Sequence, residues 1–330
     1  MTVKFSVFRL QVRGLQKPCA LITVSWEMQT LSLRTLRTVF HAFLPALLAL
    51  TLVSCSVLRL AYYHLDYWLL GQVEDFVALN NEQRVWLEER LKAHRQWHCR
   101  TQLPAYDQWL GELQAEIASP EPDLTRIDRL AYRLESFIDA ILIEFAPTLA
   151  ELLVRLDPVQ RDELFTRLDQ EVIDARVKYL DPPPKERQRE RTERMEKRLR
   201  PWIGDLTAEQ STRIRQWSIA LDRQGGGWLA NRQRLLEAVR QALSGSDMGA
   251  ARIRLVGLFE SPAIVRTEDY ARQAARSRVE ALALTADLMR LATDRQRTRL
   301  TQRLDGLRAD FRAISCSETT LAASLESARD

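Results

Sequence analysis

The fold is decided by a short phrase that recurs along the chain, first as Leu79-Asn80-Asn81-Glu82-Gln83-Arg84. It returns as Leu156-Asp157-Pro158-Val159-Gln160-Arg161 and as Ala292-Thr293-Asp294-Arg295-Gln296-Arg297, each time followed by Leu and then Arg-Leu. A fourth copy, Leu206-Thr207-Ala208-Glu209-Gln210, shares the opening but has Trp217-Ser218 where the others have Arg-Leu. Because each copy opens a stretch with helical periodicity, the phrase predicts helix starts.

Each copy contains the residues that cap a helix. The predicted N-caps are Asn80, Asp157, Thr207 and Thr293, whose side-chain oxygens can accept from the free amides of the first turn. The glutamine three residues later can reach back to the cap, as in a capping box. The capping of a helix start therefore explains every residue of the phrase.

Composition favours an all-α protein. Glycine is sparse, at 11 of 330 residues, and no stretch alternates in the manner of a β-strand. We predict a multi-helix bundle or an elongated helical array. The expected breaks are Pro104, a turn over 119–123 before a helix ending near Phe145, the prolines at 182–184, the glycines at 225–227, and a turn capped by Asp247.

The region before Cys55 has the pattern of a cleaved secretory leader. Arg34 and Arg37 precede an apolar run of 15 residues, Val39–Val53, which contains one histidine and one proline. A membrane-spanning helix needs about 20 apolar residues, so this run better suits the core of a signal peptide. A short membrane helix, or a signal cut elsewhere, is the alternative.

The end of that run, Leu52-Val53-Ser54-Cys55, resembles the lipobox of bacterial lipoproteins. The resemblance implies that signal peptidase II recognises Leu52, Val53 and Ser54, and that Cys55 carries a diacylglyceryl thioether and a further acyl chain. Several acyl chains hold a protein on a bilayer far more firmly than one chain does. Ser56 after the cysteine, rather than aspartate, implies export to the outer membrane, facing the periplasm.

These features divide the chain into five predicted parts. They are an N-terminal extension over 1–27 ahead of a true start at Met28, a signal peptide over 28–54, a lipid anchor and juxtamembrane segment over 55–78, an all-helical periplasmic domain over 79–316, and a flexible tail over 317–330.

The net charge of +4 comes from the leader. Residues 1–54 hold six of the 48 Lys and Arg and one of the 44 Asp and Glu, which leaves 42 basic and 43 acidic residues after position 54. Tight phosphate binding usually needs an excess of cations on one face. We therefore expect no nucleic-acid partner.

Two cysteines, Cys99 and Cys316, remain in the mature chain beside the lipidated residue. An oxidising compartment allows them to form one disulfide, which would close a loop of more than 200 residues. The alternative is two separate buried thiols.

Two histidines, His94 and His98, lie on one helical stripe with Leu87 and Leu91, flanked by tryptophans. Histidines four residues apart can hold a metal ion, which makes this pair a weak candidate for a metal site. No third ligand stands at a fixed offset, so we favour a half-buried aromatic edge with hydrogen-bonded histidines. We expect no metal and no cofactor.

The segment Lys185–Arg200 contains eight basic and four acidic residues. Glu190–Arg194, Glu193–Lys197 and Glu196–Arg200 are spaced as favourable pairs along a helix. An exposed, salt-bridged helix is the favoured interpretation. A basic surface for lipopolysaccharide or an acidic partner is the alternative.

Two family resemblances add to this picture. The capping phrase, best matched by Thr207 to Gln210, resembles the LTxxQ motif of the periplasmic Spy and CpxP proteins, which are helical chaperones and stress regulators. The leader, the capped helices and the segment Trp97–Leu110 together resemble an uncharacterised family of proteobacterial lipoproteins, a domain of unknown function. That resemblance implies a helical lipoprotein over residues 50–316 and supplies no catalytic residue.

The sequence therefore predicts a lipid-anchored periplasmic protein that acts by binding, as a scaffold, an assembly factor or a chaperone-like protein, or as a structural part of a larger envelope complex. Its expected partners are the membrane, through the lipid, and another envelope protein. No motif for a nucleophile, a phosphate loop or a zinc protease stands in a suitable context. The alternative is a cell-wall hydrolase that would gather His94 or His98 with carboxylates from distant helices.

Overall fold

A computed structural model describes residues 56–119, 121–222 and 226–316. The described residues form helices and no strand, which confirms the all-α prediction. The α-helices are α1 Ser56–Tyr63, α2 Leu65–Glu74, α3 Asn81–Ala118, α4 Leu124–Arg155, α5 Pro158–Tyr179, α6 Pro184–Ile203, α7 Ala208–Asp222, α8 Gly227–Leu243, α9 Met248–Glu260, α10 Glu268–Arg290 and α11 Asp294–Ala313. A short 3-10 helix, Pro262–Val265, joins α9 to α10.

Two long antiparallel helices, α3 and α4, run through the molecule. At 38 and 32 residues they are about 57 and 48 Å long at 1.5 Å per residue. The predicted break at Pro104 is wrong, because this proline lies inside α3. The predicted helix end near Phe145 is also wrong, since α4 passes through Pro147 to Arg155.

Packing of residues next to each proline explains why these helices continue. The ring of Tyr106, two residues after Pro104, lies edge-on against Phe137 of α4 with centroids 4.9 Å apart. Ala146 and Ala150, on either side of Pro147, are completely buried. A proline removes one helical hydrogen bond, and these contacts on α3 and α4 offset that loss.

Apolar cores lie at the two ends of the α3–α4 pair. One gathers α2, the start of α3, the end of α4, α8 and α9, around buried leucines such as Leu87, Leu156 and Leu255. The other gathers the end of α3, the start of α4, α10 and α11, around Leu110 and Leu304. A smaller core joins α6, α7 and α10.

The last helix, α11, returns antiparallel along α3. Arg308 Nε donates to Asp107 Oδ1 at 2.7 Å, and Arg297 Nη1 donates to the carbonyl of Ile117 at 2.6 Å. After α11, the N–H of Ser315 donates to the hydroxyl of Tyr63 at 3.2 Å. Residues 314–316, which follow α11, are thereby held against α1.

The structure has capping boxes at the phrase copies. Asn80, Asp157 and Thr293 each accept from the backbone N–H of the glutamine three residues on, and the glutamine side chain accepts from the cap. Thr207 and Gln210 make the same two hydrogen bonds. Two further caps are Asp247 at α9 and Asp123 at α4.

The helix starts also meet in pairs. The glutamine that caps α3 bonds the one that caps α5, and the glutamine that caps α7 bonds the one that caps α11. Each pair joins helix starts that are more than 70 residues apart in sequence. The phrase therefore sets tertiary structure as well as helix boundaries.

Candidate functional site

His94 and His98 project from the middle of α3 into two polar clusters. At His94, Nδ1 lies 3.0 Å from Glu144 Oε1 and Nε2 lies 2.7 Å from Thr148 Oγ1. Both partners belong to α4, and Phe145 from the same helix stacks on the imidazole with centroids 4.1 Å apart. Burial lowers the pKa of His94, although the hydrogen bond that its imidazole makes to the Glu144 carboxylate opposes that shift.

The order Thr148–His94–Glu144 matches the hydroxyl, imidazole and carboxylate of a nucleophilic triad. A triad needs a substrate carbonyl to reach the hydroxyl, and the residues His94 and Thr148 are each only 7% exposed. Glu144 and Thr148 also stand one turn apart on α4 and fill both ring nitrogens of the histidine. As it stands, the arrangement fastens α3 to α4.

His98 lies between two tyrosines in the second cluster. Its Nδ1 is 3.0 Å from the Tyr62 hydroxyl, and its Nε2 is 3.2 Å from the Tyr106 hydroxyl. Tyr62 also donates to the carbonyl of Arg95 at 3.3 Å, which is consistent with an imidazole proton on Nδ1. Burial lowers the pKa of His98 to about 4, and it raises the pKa of Tyr106 to about 12 and that of Tyr62 further. The cluster holds α1 against α3.

The two histidines share no hydrogen-bond partner, and each one uses both ring nitrogens on its own set of protein groups. Within the described residues no group of three or more His, Cys, Asp or Glu side chains is arranged to hold a metal ion.

A disulfide between Cys99 and Cys316 follows directly after the second cluster, as the sequence predicts. The Cα atoms are 5.6 Å apart, and the residues are separated by 217 positions. Leu103 and Ile314 pack around the buried Cys99, with Tyr62 and Tyr106 beside them. The bridge therefore ties the end of the described chain to the middle of α3 and to the cluster that holds α1.

The proposed lipidation residue Cys55, with Leu52, Val53 and Ser54, lies outside the described residues. The described chain begins one position later, where Ser56 starts α1. Arg59 on α1 pairs with Asp310 on α11 at 3.8 Å. None of the helices within 56–119, 121–222 and 226–316 is both long and apolar enough to cross a membrane.

Two buried carboxylates were missed from the sequence, where the acidic residues are spaced as helix surface. Asp66 on α2 lies 3.5 Å from Arg95 Nε of α3. Glu116 near the end of α3 pairs with Arg126 at 2.7 Å and accepts from the N–H of Asp123 at 2.6 Å. Only their tertiary partners distinguish them from exposed acids, so no local signal could have found them.

The basic helix α6 has no buried residue, and pairs of the predicted kind are present. Glu190–Arg194 and Glu196–Arg200 lie 3.1 and 3.8 Å apart. Two arginines hold structure instead: Arg191 donates to the carbonyl of Ser218 in α7 at 2.6 Å, and Arg187 donates to carbonyls in the turn before α6. Some of the basic side chains of α6 therefore hold the fold together, and only the others could present positive charge to a partner.

The fold and these clusters define an all-helical protein in which most of the distinctive polar side chains join one helix to another. Residues 75–271 match the model of a family of unknown function, DUF6279, and the chain belongs to that family. Neither a curated protein nor a solved structure matches the chain.

Proposed function

We propose that this protein is a lipid-anchored helical binding protein of the bacterial cell envelope, facing the periplasm from the outer membrane. The proposal is carried by Leu52-Val53-Ser54-Cys55, which closes an apolar run behind Arg34 and Arg37. Ser56 at the next position favours the outer membrane over retention at the inner one.

The disulfide supports this location. Structural disulfides persist in the periplasm and are rare in the cytosol, where thiols are kept reduced. The bridge between Cys99 and Cys316 is buried and joins distant parts of the chain. That is the role of a structural disulfide in an exported protein.

Binding, rather than catalysis, is supported by how the polar groups are used. His94 and His98 each use both ring nitrogens in contacts that hold helices together. Helix α5, by contrast, packs mainly on α8 and leaves Ile173 and Val177 exposed one turn apart. We propose that this α5 face contacts an envelope protein, in the manner of a scaffold, an assembly factor or a chaperone.

The anchor is tested by metabolic labelling of the full chain with radiolabelled palmitate. The wild type and Cys99→Ser are expected to incorporate label, and Cys55→Ser to incorporate none. Label that is absent from the wild type, or that persists in Cys55→Ser, would show that Cys55 is not the acylated residue.

The binding role is tested by photo-crosslinking in intact cells followed by mass spectrometry. A photoreactive residue at Ile173 or Val177 is expected to give a discrete adduct with an envelope protein, whereas the same residue at exposed Thr298 on α11 is not. Adducts at Thr298 alone would place the contact surface elsewhere and contradict the role given to α5.

The alternative, a cell-wall hydrolase, is favoured by the Thr148–His94–Glu144 geometry alone. It requires an opening of α3 from α4 that exposes the hydroxyl. The test is hydrolysis of a peptidoglycan or lipid substrate by the purified protein. Activity that is abolished in Thr148→Val and retained in Gln302→Glu, a change at an exposed position of α11, would favour this alternative over binding.

A further inference from the structure

The outer face of α1 and α2 is apolar, and no other part of residues 56–119, 121–222 and 226–316 covers it. Five residues are exposed and follow one another at intervals of one or three positions, which places them on one side of the helices: Leu60, Ala61, His64, Tyr67 and Trp68. Leu60 is 58% exposed, Tyr67 60% and Trp68 42%. We call these five residues the anchor-side face.

The opposite side of the same helices is fixed to the body. Tyr62 bonds His98, Asp66 lies against Arg95, and Leu70 is buried in the apolar core. The helices cannot turn the anchor-side face inward without breaking these contacts. Its exposure therefore follows from the packing of the folded protein.

The chemistry of this face fits one surrounding in particular. It has no Asp, Glu, Lys or Arg. Glu74, at the end of α2, pairs with Arg84 of α3, and Asp75 comes after the helix. Tyrosine and tryptophan have an apolar body and a polar edge, and they concentrate where a bilayer meets water. An amphipathic helix of this kind lies in the plane of the membrane surface.

The position of this face, close in sequence to Cys55, also indicates contact with a membrane. Helix α1 begins one residue after Cys55, the proposed site of acylation. Trp68 lies 12 positions after Ser56, which is about 18 Å along α1 and α2 at 1.5 Å per residue. Almost no chain therefore separates the lipid from the folded body.

We infer that the anchor-side face is a membrane-contact surface, on which Tyr67 and Trp68 enter the headgroup region beside the lipid on Cys55. The inference rests on the proposed lipid anchor. It adds that the body lies directly on the bilayer in one orientation, with α1 and α2 along the surface. A flexible tether would allow every orientation.

Quenching of tryptophan fluorescence by lipid tests the contact. The full chain, purified from membranes in detergent, is placed in phosphatidylcholine vesicles that carry a nitroxide near the headgroup. Trp68→Phe keeps the face apolar and removes the reporter. Trp202→Phe is the matched control, because Trp202 on α6 is exposed to a similar extent, 40%.

Wild type and Trp202→Phe are expected to show nitroxide-dependent quenching, and Trp68→Phe to lose most of it. Equal quenching in Trp68→Phe and wild type would overturn the inference, as would its loss in Trp202→Phe. A dimer in which Trp68 is shielded from the nitroxide would overturn it too, because the face would then bind a second copy of the chain.

The mass of the N-terminal peptide separates this inference from the proposed function. Acylated Cys55 without quenching of Trp68 would overturn the membrane-contact surface and leave the anchor intact. Quenching of Trp68 without acylation would overturn the anchor and leave the surface as an independent membrane site.

Discussion

Gln83 and Gln160 donate hydrogen bonds to each other's side chains where α3 and α5 begin. Gln83 Nε2 lies 2.9 Å from Gln160 Oε1, and Gln160 Nε2 lies 2.8 Å from Gln83 Oε1. The second amide hydrogen of each residue goes to a backbone carbonyl, that of Arg155 or Ala78. Each Oε1 also accepts from the backbone N–H of its own N-cap. Every donor and acceptor of both amides is thus used.

Gln210 and Gln296 repeat this arrangement between α7 and α11. Their reciprocal bonds are 2.9 and 3.0 Å long, and their second hydrogens go to the carbonyls of Leu291 and Asp205. In both pairs that carbonyl lies two residues before the N-cap of the partner helix. A glutamate would cap as well as a glutamine, but it could not donate, which explains the glutamine in every copy.

We expect Gln83→Glu and Gln210→Glu to destabilise the protein by about 2–4 kcal/mol each. Each substitution keeps the shape and the capping acceptor, yet it removes two donors and buries a carboxylate against other oxygens. Urea unfolding followed by circular dichroism measures the change. The control is Gln302→Glu, exposed on α11, whose effect is expected within about 0.5 kcal/mol. Equal midpoints for the three variants would contradict the role of the pairs.

Reduction of the disulfide is expected to lower the free energy of unfolding by about 5 kcal/mol, because the bridge between Cys99 and Cys316 closes a loop of 217 positions. Urea unfolding with and without a thiol reductant measures the loss. A variant with both cysteines changed to alanine should unfold at the same midpoint in either condition. A reductant that shifts this variant as much as the wild type would mean that another effect is responsible.

The sequence reveals those features of this protein that are encoded locally. Asn80 and Gln83 stand three residues apart and define a cap, so the capping phrase predicts helix starts. The pairing of Gln83 with Gln160 depends on how α3 and α5 meet, which no spacing specifies. The disulfide could be predicted because Cys19 lies in the predicted leader and Cys55 is the predicted lipidation residue, which leaves only Cys99 and Cys316.

The prolines show the limit of local signals. Pro104 and Pro147 are helix breakers by intrinsic preference, and tertiary packing overrides that preference in α3 and α4. His94 was expected to be hydrogen-bonded at a half-buried edge. Its partners Glu144 and Thr148 lie 50 and 54 residues away, and only the antiparallel packing of the two helices brings them together.

On α6, we expect Arg189→Ala and Arg191→Ala to differ although both remove an arginine. Arg189 pairs with Glu193 on the surface, where a pair contributes less than about 1 kcal/mol. Arg191 donates to a carbonyl of α7, and its loss is expected to cost about 1–3 kcal/mol. Urea midpoints compare the two variants. Equal losses would show that the Arg191 contact adds no stability.

The structural contact of Arg191 also determines which basic residues can be changed to test α6 as a surface for an acidic partner. Charge reversal at Arg187 or Arg191 would disturb the fold as well as any anionic ligand. Lys185, Arg189 and Lys197 are exposed, and their reversal is expected to leave the urea midpoint nearly unchanged. Salt-sensitive binding of an acidic partner that survives this triple reversal would exclude α6 as the binding surface.

Acidification is expected to destabilise the protein through its buried histidines. The pKa of His98 is about 4 in the folded protein, against about 6.5 in an unfolded chain. Between these values the unfolded chain binds a proton that the folded one does not, so the free energy of unfolding falls as the pH drops below about 6.5. The full effect is on the order of 3 kcal/mol, and His94, whose pKa is also lowered, adds to it in the same direction.

Urea unfolding at pH 7.5, 6 and 5 measures this slope, and His98→Asn tests its origin. Asparagine can still hydrogen-bond the tyrosines but cannot take up a proton, so the variant should lose less stability than the wild type between pH 7.5 and 5. His64→Asn is the matched control, because it makes the same substitution at an exposed position on the outer side of α1 and α2. Identical slopes in His98→Asn and the wild type would mean that acidification acts through groups other than this imidazole.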